Sequence, residues 1–397
     1  MKITDISKKN NLKPLKLSVR EMPHLTIETN LTCNIRCRGC YNLHKTFVKP
    51  LSQVKSEIDL ALHKRNLETL TLLGGEPTLH PDLAAIIRYV KNKNVICEML
   101  TNGVLFLQDN GERLLDEIVQ AGLDRIVLHV DAGQSHIHPD INKVRHTLFN
   151  KFEKRKIFFS LSITIYPDST GEIPSIMKEF SCYRYFDGIL SILEMDSPKN
   201  FFKDYVPTRN PQLDKEYRRI SKELRVEPSA YIPSSLDDDT ISWLMFFYYI
   251  NTKTHKTMEV SPEYNRLFRK LYRLFVGKHV FGITSSPLLF PFSFLFTCLV
   301  ESILHPKKIF VMGRLIRNSR WLTDLRFHYI LIQKGPEFNH EKNQIQMCYH
   351  CPDATIRNGK LTPVCAADLI NPLEKDSTHR PIPMELYRTI YRHLEQI

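Results

Sequence analysis

Six of the nine cysteines fall into two groups near opposite ends of the chain: Cys33, Cys37 and Cys40 lie within eight residues, and Cys348, Cys351 and Cys365 within eighteen. Three thiolates spaced C-x3-C-x2-C can converge from one loop on a single inorganic cluster, and three thiolates on four irons leave one iron open to a small ligand. A ferredoxin would normally close that position with a fourth cysteine, so the open iron points to a ligand bound at the metal. The rival reading is zinc, with His44 as the fourth ligand. Cys97, Cys182 and Cys298 sit in apolar stretches and read as buried, inert thiols.

The second group, C-x2-C-x13-C, encloses Ala354 to Val364 with Asn358-Gly359 at its centre. Asn-Gly between strand-like residues signals a type I′ hairpin. Pairing Arg357 with Lys360 and counting outward sets Cys351 opposite Ala366, one position from Cys365, with Cys348 just beyond. Such a hairpin gathers thiolates at its open end, where they could grip a second metal centre. Zinc on these cysteines and His350 is again the rival.

Three further polar groups stand at the ends of strand-like runs. Leu67 to Leu73 leads into Gly74-Gly75-Glu76-Pro77, Val95 to Leu100 into Thr101-Asn102-Gly103, and Arg125 to Val130 into Asp131. Glycines let backbone approach a ligand closely, and one carboxylate suits one ammonium.

Together these residues resemble the radical S-adenosylmethionine (SAM) superfamily. Its signature is this first cysteine spacing on the loop after the first barrel strand, followed by a GGEP motif. The resemblance implies that Cys33, Cys37 and Cys40 hold a [4Fe-4S] cluster whose open iron binds SAM. It also implies that Gly75 and Glu76 meet the methionine amino group, and that Thr101, Asn102 and Asp131 meet the SAM ribose and carboxylate. An external one-electron reductant of flavodoxin or ferredoxin type would then generate a 5′-deoxyadenosyl radical that takes hydrogen from substrate. The second triad resembles the twitch subdomain of SPASM/twitch members, with a spacing like that of the auxiliary cluster in GTP 3′,8-cyclases, implying a second [4Fe-4S] cluster. Departures from the family pattern are His129, where relatives often carry a small hydroxyl residue, and Gly39, where many have an aromatic; Tyr41 is the nearest substitute. The chain also ends in His393-Leu394-Glu395-Gln396-Ile397, without the Gly-Gly tail of the cyclases.

Between the strand-like runs lie segments of helical period. Leu83, Ile86, Ile87 and Val90 follow Pro81-Asp82, and Leu114, Leu115, Ile118 and Val119 precede a Gly122 stop. Continued through Ile157 to Tyr166, Gly171 to Phe180 and Gly188 to Asp196, the alternation gives about six βα units and a parallel sheet. The expected fold is therefore α/β: a partial (β/α)6 barrel of TIM type, with a mostly helical insertion and a C-terminal twitch-like subdomain. The corresponding boundaries are an extension over 1–24, the barrel over 25–196, the insertion over 197–345, and the twitch-like subdomain with a C-terminal helix over 346–397.

The insertion is where substrate choice is expected. Residues 263–320 carry ten Lys or Arg against Glu263 and Glu301, a net of +8 out of the chain's 55 − 43 = +12. Within it, His279 to Val300 holds no charged Asp, Glu, Lys or Arg for 22 residues. Gly282, Pro287, Pro291 and three serines interrupt that run, which argues against a membrane span. Tyr264, Leu267, Phe268, Leu271, Leu274 and Phe275 among Arg266, Arg269, Lys270 and Arg273 form a basic amphipathic helix, which either packs on its own domain or lies in a membrane interface. A hydrophobic or lipid-linked substrate fits this region, with peptide or nucleotide modification as the alternative for the enzyme. A metal protein without catalysis, either an iron-sulfur carrier or a zinc-stapled membrane-surface adaptor, is the other. The aromatics cluster instead of interleaving with the charges, so nucleic acid is not an expected partner. Met1 to Lys16 has no apolar run of signal length, so a reducing cytoplasmic setting is expected, with contact to the membrane surface left open.

Overall fold

The computed structural model describes residues 11–37, 40, 42, 47–166, 169, 171–194, 212–281, 290–317, 319–320, 323–339 and 344–370. Gly39, Tyr41, His44, Gly282, Pro287 and the expected C-terminal helix beyond residue 370 lie outside the described residues.

Six parallel strands follow one another in chain order: β1 (His24–Asn30), β2 (Thr69–Gly74), β3 (Ile96–Thr101), β4 (Arg125–His129), β5 (Phe158–Ile165) and β6 (Phe186–Leu193). Helices α1 (Leu51–Lys64), α2 (Leu83–Lys91), α3 (Gly111–Gln120), α4 (Ile141–Lys154) and α5 (Ile173–Phe180) separate them. The expected βα alternation is present. In β2 the pattern Thr69-Leu70-Thr71-Leu72 explains the layering: the leucines enter the core that includes Val54, Ile58 and Ala61 of α1, while the threonines line the barrel interior. Asp82 stands at the N-terminal end of α2, and Gly122, with φ +99°, follows α3.

The sheet continues past these six strands. After α6 (Gln212–Glu223) come β7 (Ala230–Pro233), β8 (Ile241–Asn251), β9 (Thr257–Glu259), α7 (Pro262–Val276), α8 (Phe290–Leu304), α9 (Lys308–Ile316) and β10 (Leu325–Gln333). β10 lies parallel against β6, β8 antiparallel against β10, and β7 and β9 antiparallel against β8. The strand order is β1-β2-β3-β4-β5-β6-β10-β8-β7, a ten-stranded sheet with β9 on β8, and among the described residues it does not close on itself. The stretch expected to be mostly helical thus also extends the barrel sheet. Every residue of β8 is buried. Leu244, Phe246, Tyr248 and Ile250 join the barrel core, whereas Trp243, Met245, Phe247 and Tyr249 enter a second core with Tyr264, Phe290 and Phe294 of the helices. Burial on both faces turns alternation into the continuous apolar run Leu244 to Ile250, which in sequence does not separate strand from helix.

Two short hairpins follow, β11 (Glu337–Asn339) with β12 (Gln344–Gln346), and β13 (Ala354–Arg357) with β14 (Lys360–Pro363). The second has the expected Arg357–Lys360 pairing, with Asn358 and Gly359 both at positive φ (+49° and +73°), as a type I′ turn requires. The ladder stops sooner than the count to Cys351 assumed. It ends at Ala354–Pro363, Val364 N–H still donates to Asp353 O (2.9 Å), and Val364–Ala366 then turns into a 3-10 helix leading to α10 (Ala367–Ile370).

This hairpin packs beside β1 at the open edge of the barrel. Thr26 Oγ1 donates to Ala354 O (3.0 Å), and Arg357, 1% exposed, binds Glu28 Oε1 through Nη2 (2.7 Å) and Asp368 Oδ1 (3.1 Å). On the other side the cysteine segment meets the end of β7: Ser235 N–H donates to Met347 O (2.7 Å), and Tyr349 N–H to Pro233 O (3.0 Å). The C-terminal segment therefore bridges the gap between the two edges of the sheet. Removing one partner of a buried ion pair strands the other charge, at a cost of about 3–5 kcal/mol. Arg357→Leu is expected to lower the urea midpoint accordingly, and adding Glu28→Leu with Asp368→Asn to recover most of the loss, as read by urea titration.

Candidate active site

The C-terminal ends of β1, β2 and β3 assemble one pole of the barrel interior. Gly75 N–H donates to Asn30 O and Glu76 N–H to Thr32 O, both at 2.8 Å, so the glycine motif is laced to the start of the first cysteine loop. A Cβ at Gly75 would lie 2.1 Å from Thr32 O and 2.4 Å from Leu31 O, and one at Gly74 (φ +135°) 2.0 Å from Asn30 O. The two glycines are thus required by the approach of this backbone to the cysteine loop, independently of any ligand.

Glu76 is 1% exposed. Its Oε1 accepts from Thr78 N–H (3.1 Å), Thr78 Oγ1 (2.7 Å) and Thr101 Oγ1 (2.6 Å), and its Oε2 from Asn102 N–H (2.8 Å). The carboxylate ties the end of β2 to the end of β3, and only Oε2 keeps acceptor capacity to spare. Burial pushes its pKa up, against the four donors that favour the charged form. Asn102 Nδ2 reaches Asn34 Oδ1 (2.8 Å) and Cys33 Sγ (3.9 Å). Thr101, Asn102, Gly75 and Glu76 thus converge with Cys33, Cys37 and Cys40 on one cavity.

Asp131 is placed differently. Its Oδ1 accepts from Gly133 N–H (2.8 Å) and its Oδ2 from Thr164 N–H (2.6 Å), capping a short 3-10 turn and joining β4 to β5, and it does not line that cavity. A strand-end aspartate serves equally well as a cap, and the sequence offered nothing to separate the two uses. The sequence marks His129 only as a departure from the family pattern and singles out nothing at Gln134. His129 lines the cavity, while Gln134 Nε2 donates to Cys37 Sγ (3.5 Å) and to His129 O (2.8 Å). The only sequence cue to Gln134 is its place in the turn after Asp131. Burial pushes the Cys37 thiol up to about 12, so it becomes a thiolate only with a metal or similar charge beside it.

Farther down the interior, strand alternation sets out the wall. Leu100, Val127, Leu190 and Leu331 give the wall apolar side chains, interrupted at β5 by Ser160, Ser162 and Thr164, and toward the strands' N-terminal ends Glu98, Arg125 and Asp187 form a buried ionic cluster. Burial raises the Asp187 carboxyl to about 6 despite Arg125, and Arg125 Nη2 has no partner among the described residues.

The second triad stands at this lower pole, beside the N-terminal end of β1. Cys348 and Cys351 are buried; the Cys351 thiol is pushed well up by its hydrogen bond to Cys348 and by burial, and the Cys365 thiol by burial and the nearby Cys348 sulfur. Trp243 Nε1–H donates to Cys348 Sγ (3.3 Å). Arg65, 3% exposed, donates to the carbonyls of His24 (2.7 Å), Cys351 (3.0 Å) and Pro352 (3.2 Å), clamping the cysteine segment to the barrel. Cys365 lines the same cavity as Cys33, Cys37 and Cys40, with Asp353, Trp243 and Phe281 beside it. Among the described residues no three ligating groups are already drawn together as a metal site. The donor chemistry nevertheless fits a thiophilic iron cluster at each pole: three thiols each, with Gln134 and Asn102 to hydrogen-bond sulfur at the upper one. Of the three scattered cysteines, Cys97 is buried and Cys298 partly so, but Cys182 is exposed, correcting the expectation that it is a core thiol; its apolar neighbours Phe180 and Phe186 turn inward.

Residues 27–158 match the Radical SAM superfamily, whose enzymes use a [4Fe-4S] cluster and SAM and draw electrons from an external reductant. Among curated relatives, the chain is 24% identical over 218 residues to a probable GTP 3′,8-cyclase of Pyrococcus abyssi, covering 52% of this chain and 69% of that one. It is 32% identical over 117 residues to the GTP 3′,8-cyclase of Chlorobaculum tepidum, covering 28% and 34%. Among solved structures, Streptococcus suis SuiB bound to S-adenosylmethionine is similar at a TM-score of 0.37 and 16% identity, over 48% of this chain and 44% of that one.

Because Gly75 has no room for a methyl group, Gly75→Ala is expected to push the cysteine loop away from β2. The melting temperature should fall by several degrees, and iron uptake on anaerobic reconstitution should drop well below that of the unaltered chain. A Gly75→Ala protein that loads iron normally would contradict this account of the motif.

Proposed function

We propose that this radical SAM enzyme holds its SAM-binding [4Fe-4S] cluster on Cys33, Cys37 and Cys40, a second [4Fe-4S] cluster on Cys348, Cys351 and Cys365, and a hydrophobic or lipid-linked substrate in the interior between them. The observation that carries the reading is that Cys33, Cys37, Cys40 and Cys365 line one continuous cavity.

When bound and reduced, the cluster and SAM together supply a 5′-deoxyadenosyl radical able to take a hydrogen atom from substrate. The chain's own residues do the holding. Glu76 Oε2 offers its remaining acceptor capacity to the methionine ammonium, Gly75 lets the backbone come close, and Thr101 and Asn102 fix the Glu76 carboxylate from β3. Asp131 acts on SAM from behind the cavity wall, by fixing the ends of β4 and β5 through Gly133 and Thr164. The hairpin and cysteine segment close the open side of the barrel, which limits water around a reactive intermediate.

Leu100, Val127, Leu190 and Leu331 on the cavity wall, with Trp243 and Phe281, support a hydrophobic substrate. Nucleotide modification is the second reading, favoured by the similarity to GTP 3′,8-cyclases. Among the described residues no helix is long and apolar enough to cross a membrane.

Replacing Cys33, Cys37 and Cys40 by alanine is expected to leave about four irons per chain and to abolish reductive SAM cleavage. Replacing Cys348, Cys351 and Cys365 should remove a similar amount of iron while uncoupled SAM cleavage persists. Zinc instead of iron at the second triad would overturn the two-cluster reading. Substrate class is tested by anaerobic turnover with lipid or aqueous extract from deuterium-grown cells. Deuterium entering 5′-deoxyadenosine from the lipid extract supports the proposal, and transfer only from the aqueous extract supports the nucleotide reading.

A further inference from the structure

The helices inserted between β9 and β10 leave an unusual amount of apolar surface uncovered. Of the fifteen large hydrophobic side chains exposed among the described residues, thirteen lie between Leu267 and Ile316. α8 buries only Phe290, Phe294, Thr297 and Glu301, a single stripe against Tyr249 and Tyr264, and exposes Phe292 (72%), Leu299 (62%) and Ile303 (71%) on its other sides. Its one charge, Glu301, is buried and bound to Lys308 Nζ (3.0 Å) and Ser261 N–H (2.6 Å). The end of α7 adds Leu274 and Phe275 (80%), and α9 adds Ile309 and Phe310 (73%). A helix apolar on all sides belongs in a protein core or in lipid, and among the described residues this one has protein on one side only.

Its length decides how it would meet lipid. Fifteen residues of α-helix span about 22 Å, short of the roughly 30 Å hydrocarbon core, so α8 can lie in a membrane surface but not cross it. The charges nearby have the matching sign. Lys270 and Arg314 are exposed on these helices and Lys307 and Arg317 at the two ends of α9, while the exposed Arg273 pairs with Glu21; the helices' only carboxylates are Glu263 and the buried Glu301.

We propose that α7, α8 and α9 form a docking surface for an anionic lipid bilayer. This deepens the lipid-linked reading above and rests on it for its purpose. The apolar faces enter the headgroup and acyl boundary, and the basic side chains bind lipid phosphates. The surface is connected to the lower pole of the barrel. α7 is tied to the approach of β2 by Asn66 Nδ2 to Gly277 O (2.9 Å) and Lys278 Nζ to Leu67 O (2.7 Å). Just after α7, Phe281 stacks on His24 (5.6 Å between centroids) and contacts Trp243 edge-on (5.4 Å), all three being part of the cavity wall. A bilayer held on these helices therefore lies next to the wall of the chamber in which a lipid would react.

The test is flotation of the full-length, cluster-loaded protein with vesicles of phosphatidylcholine alone or with phosphatidylglycerol added, with the oligomeric state measured by light scattering. Binding is expected to the anionic vesicles, weakened by salt. Lys270→Gln, Arg314→Gln and Arg317→Gln should each cost about fivefold in partition, and the pair Phe292→Ser and Phe310→Ser about tenfold or more. Circular dichroism and iron content establish that these variants are folded, and substrate-free SAM cleavage should be unchanged in all of them. Absence of vesicle binding, or binding indifferent to both kinds of substitution, overturns the proposal. So does a dimer in solution that the phenylalanine substitutions convert to monomer, which would make a second copy the occupant of this face. Vesicle binding together with deuterium transfer only from aqueous extract would keep the docking surface and remove the lipid substrate.

Discussion

The seam between β1 and the C-terminal hairpin is the constraint on which the site depends. A parallel sheet that stops short of closure leaves its first strand with one unpaired edge, and here Arg357 between Glu28 and Asp368, with Arg65 on the carbonyls of His24, Cys351 and Pro352, fastens the hairpin there. Both guanidiniums are almost wholly buried, and each satisfies acceptors from elements far apart in sequence. Without that seam the two cysteine triads would belong to separate parts of the chain. With it, Cys365 opens on the cavity that Cys33, Cys37 and Cys40 also line.

The two poles differ in how rigidly they are built. At the upper pole the glycine motif, Glu76 and Thr101 form a hydrogen-bonded frame around the cysteine loop, and the absence of side chains at Gly74 and Gly75 is what lets the frame close. At the lower pole the frame is assembled from three sources: β1, the cysteine segment, and Trp243 of β8, whose indole donates to Cys348. The lumen between them carries Leu100, Leu190 and Leu331 beside the hydroxyls of Thr71, Ser160 and Ser162, with the Glu98–Arg125–Asp187 cluster in its wall.

Much of this was legible in the sequence because the relevant signals are local. The Gly74 to Pro77 run, the βα alternation and the Asn358-Gly359 turn are such signals, and each stands in the fold where its pattern implied. What was not legible depends on distant partners. Asp131 could be read as facing a ligand because nothing nearby reveals that the amide of Thr164, on the next strand, occupies its carboxylate. The strand over Leu244 to Ile250 was hidden within a stretch expected to be mostly helical, because a strand buried on both faces loses the alternation that would mark it. Cys182 reads as apolar in sequence, but a helix end exposes it while its neighbours turn inward. The roles of Arg65 and Gln134 are likewise invisible, since each acts on backbone or sulfur contributed from elsewhere.

The central claim is that both triads hold iron and face one chamber. Diffraction from anaerobically grown crystals at the iron absorption edge tests it most directly. The account predicts two anomalous peaks at opposite poles of the barrel, separated by roughly the length of one strand, on the order of 20 Å. A single iron peak at Cys33, Cys37 and Cys40, with zinc or no metal at Cys348, Cys351 and Cys365, would contradict it.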